Sequence, residues 1–171
     1  MMKWIAAALV AAVLPQDVKF GNSYLGKAPP ELVSEKGQWL NSDEALTFEK
    51  LRGKVVWLEF GFLKCGPCKK MKPTLFRWHK EFSAKGLVVI DVSDGAQDKF
   101  DDLKKEVEEK GGRLATLWDK DAKVCLTYGI QAYPMAYLVG VDGKVIWEGS
   151  PNAKVVEEIE KLMTAELAKV K

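Results

Sequence analysis

Between residues 55 and 60 the chain runs Val-Val-Trp-Leu-Glu-Phe, and between 87 and 92 it runs Leu-Val-Val-Ile-Asp-Val, each apolar at every position but one. Continuous apolar runs of this length predict strands buried on both faces of a sheet. Between them Cys68, Met71, Leu75, Trp78, His79 and Phe82 recur at spacings of three and four, which predicts an amphipathic helix whose apolar face meets that sheet. Pro73 falls inside this helix and predicts a kink, and Gly86 predicts its end. Strand, helix and strand in this order form a right-handed parallel crossover unit.

Downstream, Asp98 to Lys110 is a charged segment with Phe100, Leu103 and Val107 on one helical face, followed by Gly111-Gly112 as a stop. Leu114 to Trp118 predicts a short strand or extended segment, and Ala122 to Tyr128 a short helix ending at Gly129. Met135 to Val141 and Val145 to Trp147 flank Asp142-Gly143, which predicts a β-hairpin. Ser150-Pro151 then offers an N-cap and a first-turn proline for a final helix, with Val155, Val156, Ile159, Leu162, Met163 and Leu167 on its buried side. Residues 17–53 are polar and turn-rich and are expected to form an extended lead-in with short strands. The fold class is α/β, a mixed central sheet with helices on both faces.

Composition narrows the functional classes. With 47% hydrophobic residues over 171 positions the chain suits one core and is not a disordered protein. Its 26 basic and 24 acidic residues are interleaved, a net charge of +2, so nucleic acid is not an expected partner. Trp4 to Leu14 carries no charge, follows Met1-Met2-Lys3 and precedes Pro15-Gln16-Asp17. This stretch reads as a secretory signal peptide over residues 1–16, being well short of the roughly 20 residues that span a bilayer. An N-terminal helix or uncleaved anchor is the other reading. On the first, residues 17–171 are a single exported domain, not membrane-spanning after cleavage, in a periplasmic or otherwise extracytoplasmic compartment.

Three cysteines are too few for a disulfide-stapled mini-protein. Cys65-Gly66-Pro67-Cys68 lies between a buried strand and a helix, so Cys65 falls at the helix N-terminus. Free N–H groups and the positive end of the helix dipole favour a thiolate there, and such cysteines have pKa values of about 3.5–7.5. Cys65 is the expected attacking sulfur and Cys68, one turn into the helix and more deeply buried, the resolving one. Lys64 adds positive charge. Zinc sites and structural disulfides share the spacing, but His79 stands about 16 Å from Cys68 along the helix at ~1.5 Å per residue and cannot close a metal site with the pair. No metal and no cofactor is expected. Cys125 reads as a small buried helix residue, with a reactive or interchain thiol as the alternative.

Glu59 is the one charge in its strand, six positions before Cys65, where period-two alternation aims it behind the cysteine pair. A buried carboxyl there has a raised pKa and can carry a proton to or from Cys68. The other reading places Glu59 at a solvated edge or against Lys54 or Lys144.

Glu59, Cys65-Gly66-Pro67-Cys68-Lys69, Pro73, Tyr133-Pro134, Asp142-Gly143 and Gly149 together resemble the thioredoxin superfamily. The lead-in Leu25-Gly26-Lys27-Ala28-Pro29-Pro30, the segment Leu51-Arg52-Gly53-Lys54-Val55-Val56 and the extra helix at 98–110 look like its exported TlpA/ResA-type branch. The resemblance covers about residues 24–168. It implies a thioredoxin fold with extra N-terminal strands and one inserted helix, and a redox-active Cys65–Cys68 disulfide. It also implies a cis-proline at Pro134 beside the pair, where Pro134 and Tyr133, with Gly66, Pro67 and Lys64, meet an extended substrate segment. The sequence departs from the pattern at Lys64, where the family usually has Trp, at Glu59 in place of the Asp of ordinary thioredoxins, and at the bulky Tyr133.

The expected function is thiol–disulfide exchange with protein thiols and disulfides, as a reductase kept reduced by a membrane-bound electron donor. The alternative is a thioredoxin-like metal- or partner-binding protein without redox turnover.

Overall fold

The computed structural model describes residues 20–110 and 113–171. The expected signal peptide and the Gly111-Gly112 stop lie outside the described residues.

The elements in chain order are β1 (Trp39–Leu40), β2 (Val55–Gly61), α1 (Gly66–Phe82), β3 (Leu87–Asp94), α2 (Phe100–Glu109), β4 (Ala115–Asp119), α3 (Lys123–Thr127), β5 (Met135–Val139), β6 (Val145–Gly149) and α4 (Val156–Leu167). The strands form one mixed sheet in the order β1-β4-β3-β2-β5-β6. β2, β3 and β4 run parallel, as the β2–α1–β3 crossover requires, and β1, β5 and β6 are antiparallel to their neighbours. The lead-in supplies β1 and an isolated bridge from Leu25 to Val145.

Alternation along the central strands divides the core in two. On one side Val56, Leu58 and Phe60 of β2 meet Leu32 and Phe48 of the lead-in and Val124 and Cys125 of α3. On the other, Val55 and Trp57 meet Met71, Leu75 and Trp78 of α1 and Ile159 and Met163 of α4. Trp57 sits edge-on to Trp78 and stacks on Trp147, which joins α1 to β6 across β2. Odd-numbered β2 residues therefore face α1, the side on which Glu59 and Gly61 also lie.

One local expectation is corrected. The final helix begins at Val156, not at Ser150-Pro151. Asn152 organises the intervening turn instead: its side-chain oxygen accepts from the Lys154 N–H (2.9 Å) and its carbonyl from the Val155 N–H (3.1 Å). An Asx turn of this kind takes the backbone groups that an earlier helix start would have used. Pro73 is accommodated inside α1, which runs on to Phe82. The Asp142-Gly143 turn is present, with Gly143 at φ +77° and the Asp142 side chain accepting from the Lys144 N–H at 3.0 Å.

Candidate active site

α1 starts because Cys65 takes extended geometry as its N-cap and Pro67, which has no N–H to leave unsatisfied, occupies its first turn. Cys65 and Cys68 form a disulfide, with Cα atoms 5.3 Å apart. The Cys68 N–H donates to the Cys65 sulfur at 3.2 Å, and the Lys69 N–H to the Cys65 carbonyl at 3.1 Å. One first-turn donor of α1, the Cys68 N–H, is thus aimed at the sulfur that the sequence singles out as nucleophile. The expected contrast in depth is absent: Cys65 is 5% exposed and Cys68 3%. Both side chains are enclosed in this disulfide form, while Lys64, Gly66 and Pro67 are exposed around them.

Behind the pair, β2 brings two residues to the same face. A Cβ on Gly61 would meet the Cys68 sulfur at 3.1 Å, so the backbone of β2 touches Cys68. Glu59, two residues earlier, is 1% exposed and accepts from Trp57 Nε1 at 3.1 Å. Burial, followed by the nearby Asp91 carboxylate, pushes its pKa from 4.5 to about 8, with Lys72 and the Trp57 bond pulling the other way. Glu59 is neither at a solvated edge nor paired with Lys54 or Lys144. Its charged neighbours are Asp91, directly opposite it on β3, and Lys72 of α1, which is ion-paired to Asp91. Asp91 carries the same sequence signal as Glu59, one acid in an apolar strand, and is absent from the residues expected at the site. Lys72, one helical turn beyond Cys68, has no signal of its own until β3 is placed beside β2.

The peptide bond between Tyr133 and Pro134 is cis, as the resemblance implies. Pro134 is buried and Tyr133 half-buried. Tyr133 reaches the cysteine loop through its ring, which meets Phe62 edge-on at 5.3 Å, and the Phe62 carbonyl in turn accepts from the Cys65 N–H at 3.1 Å. The Tyr133 hydroxyl donates to Asp94 at 2.7 Å, and burial with the Asp94 and Cys125 neighbours raises its pKa. Asp98 is a second residue that the sequence does not single out. One of its carboxylate oxygens accepts from the Leu63 N–H (2.8 Å) and from the Ser93 hydroxyl (2.6 Å), tying the loop before the cysteines to the segment that leads into α2. Burial raises the Asp98 pKa against these two bonds.

Cys125 is free, buried at the back of the other core layer, and its thiol is pushed up first by burial and then by Asp119. His79 lies half-buried near the end of α1. Among the described residues no three His, Cys, Asp or Glu side chains converge on a metal-sized site. Among those residues, too, no helix is long and apolar enough to cross a membrane.

Residues 26–148 match the model of the AhpC/TSA family. The chain belongs to that family. Thiol-disulfide oxidoreductase ResA of Bacillus thuringiensis (strain Al Hakam) is 30% identical over 122 residues, which cover 71% of this chain and 67% of that protein. A solution structure of a thiol:disulfide interchange protein from Bacteroides sp. aligns with a TM-score of 0.63 at 25% identity, covering 86% of this chain and 91% of that one. The thioredoxin domain of a thiol-disulfide oxidoreductase from Bacteroides vulgatus superposes at 0.69 and 24% identity over 83% and 99% of the two chains, a likeness of fold. The thioredoxin fold and the enzyme class, thiol–disulfide oxidoreductase, agree with the reading from the sequence.

Proposed function

We propose that this AhpC/TSA-family protein is an extracytoplasmic reductase of protein disulfides, acting through Cys65 and Cys68 with Glu59 as the proton carrier. The observation that carries the reading is the closable pair at the start of α1, with the Cys68 N–H aimed at the Cys65 sulfur.

In the reduced enzyme the Cys65 thiolate attacks one sulfur of a substrate disulfide, forming a mixed disulfide and releasing the other sulfur as a thiolate. Glu59 then takes the Cys68 proton, and the Cys68 thiolate attacks the Cys65 sulfur. The mixed disulfide breaks, the second substrate thiol leaves, and the Cys65–Cys68 disulfide closes. Two electrons have passed from enzyme to substrate, and a membrane-bound dithiol donor returns them. Glu59 suits the step because a carboxyl with a pKa of about 8 exchanges its proton near neutral pH.

Lys64, Gly66 and Pro67 form the exposed rim at which substrate meets Cys65, and a Cβ on Gly66 would meet nothing, leaving room for close approach. Tyr133 and Pro134 supply the opposite wall. Export rests on the charge-free stretch from Trp4 to Leu14 and on the ResA relatives.

Insulin reduction tests the mechanism. Cys65→Ser abolishes turnover, and Cys68→Ser accumulates a mixed disulfide with the substrate through Cys65. Full activity in Cys65→Ser would overturn the assignment. A measured potential near −120 mV, the strongly oxidising end of the scale, would overturn the direction.

A further inference from the structure

Between α1 and α2, over the ends of β2, β3 and β4, lies a cavity of about 150 Å³, room for several water molecules. Cys68 stands on its wall, and so do Lys72 and Asp91. Glu59 does not reach it, yet Asp91 is its register partner on β3 and lies on the same face of the sheet. Asp91 and the lysine paired to it are therefore the charged groups that stand between the buried carboxyl and the cavity.

Resting on the reading of Glu59 as proton carrier, we propose that Lys72 and Asp91 are positioning residues for its proton, linking the buried carboxyl to the cavity between α1 and α2 and through it to solvent. A proton taken from Cys68 would be trapped on Glu59 unless it had such an exit, because apart from the Trp57 indole N–H, a donor only, the neighbours from β5 and α4 are apolar. β5 presents Ala136 directly opposite, and α4 brings Ile159 and Met163. The charged groups acting on Glu59 lie on the cavity side, Asp91 from β3 and Lys72 from α1, and the Cys68 sulfur lies on the same cavity wall. Farther out, Glu106 of α2 and Lys110, which caps its end, face the same cavity, paired with each other, and Lys69 also lines it.

The arrangement places one positive and one negative charge beside the same carboxyl, so removing them has opposite effects. Without Lys72 the Glu59 carboxylate loses a cation and forms at higher pH. Without Asp91 it loses an anion and forms at lower pH. An ion pair too distant to act on the Glu59 proton would change rate or stability in either variant without moving the pH dependence in opposite directions.

The resolving step can be watched with 5,5′-dithiobis(2-nitrobenzoate) on the reduced full chain. Attack by Cys65 releases one thionitrobenzoate, and closure by Cys68 releases the second. The rate of the second release is expected to rise with pH about a midpoint near 8. Lys72→Met should move that midpoint up, and Asp91→Asn down, each by about one pH unit, while Lys72→Arg restores the parent profile. Midpoints that stay put, or move the same way in both variants, while Glu59→Gln removes the rise would overturn the linkage alone. A rise that survives Glu59→Gln would overturn the linkage together with the role of Glu59.

Discussion

The backbone of Gly61 lies against Cys68: a Cβ at position 61 would stand 3.1 Å from the Cys68 sulfur and 3.4 Å from its Cβ. Contacts this close require one partner to give way. Gly61→Ala is expected to push Cys68 by a few tenths of an ångström and to slow disulfide closure several-fold. Gly61→Val should slow it further and destabilise the fold by about 1–3 kcal/mol, the usual cost of overpacking. Closure rates of the reduced protein and urea midpoints measure both effects. Wild-type closure in Gly61→Val would mean that β2 does not hold Cys68 in place.

Glu59 makes stability pH-dependent. Its folded pKa of about 8 lies above the ordinary 4.5, so between those values the folded protein binds more protons than the unfolded chain. The stability associated with the protonated carboxyl is complete below pH 4.5 and is lost as pH rises through about 8. Glu59→Gln should remove that loss, leaving the variant close to the parent at pH 5 and more stable by a few kcal/mol at pH 9, at about 1.4 kcal/mol for each pH unit separating the folded and unfolded pKa. Urea unfolding at pH 5, 7 and 9 tests this, and equal slopes for parent and variant would contradict it.

Asp98 anchors the loop before the cysteines. Asp98→Ala leaves the Leu63 N–H and the Ser93 hydroxyl without their shared acceptor, at an expected cost of about 1–3 kcal/mol. Hydrogen exchange at the Leu63 amide should speed up, and insulin reduction should slow with it. Ser93→Ala, which spares the Leu63 bond, should do less. An unchanged Leu63 amide in Asp98→Ala would show that the carboxylate does not hold this loop.

Cys125 is expected to be inert. It is 3% exposed, and burial keeps its thiol protonated. Alkylation of the reduced native protein should modify Cys65 and spare Cys125, and Cys125→Ala should retain exchange activity with a loss of about 1 kcal/mol from the smaller side chain. Peptide mapping after labelling decides the point, with rapid modification of Cys125 as the contrary outcome.

The central elements were legible because their burial is written as composition. Val55 to Phe60 and Leu87 to Val92 are apolar throughout but for one acid each, and an uninterrupted apolar strand has only a two-sided core to occupy. The Cys65-Gly66-Pro67-Cys68 turn was equally plain, since Pro67 suits a first helical turn and Cys65 its cap. The start of α4 was not, because Ser150-Pro151 and Asn152 both carry local capping chemistry and only the packing of the turn selects between them. Nor was the partner of Glu59: Lys54 and Lys144 were the nearer candidates along the chain or the hairpin, and Lys72 becomes adjacent only when α1 crosses β3.

By itself the sequence determined the strands, the helix that follows the cysteines, and the cysteine pair at its start, since each depends on residues close together in the chain. Tertiary structure alone decided what surrounds the pair. Pairing β2 with β3 in register sets Glu59 opposite Asp91, packing α1 across them supplies Lys72, and the Leu63–Asp98 bond joins the cysteine loop to the segment before α2. Those contacts join positions 13 to 35 residues apart, and the charge and proton chemistry of a buried carboxyl depends on its neighbours in space, which local periodicity does not encode.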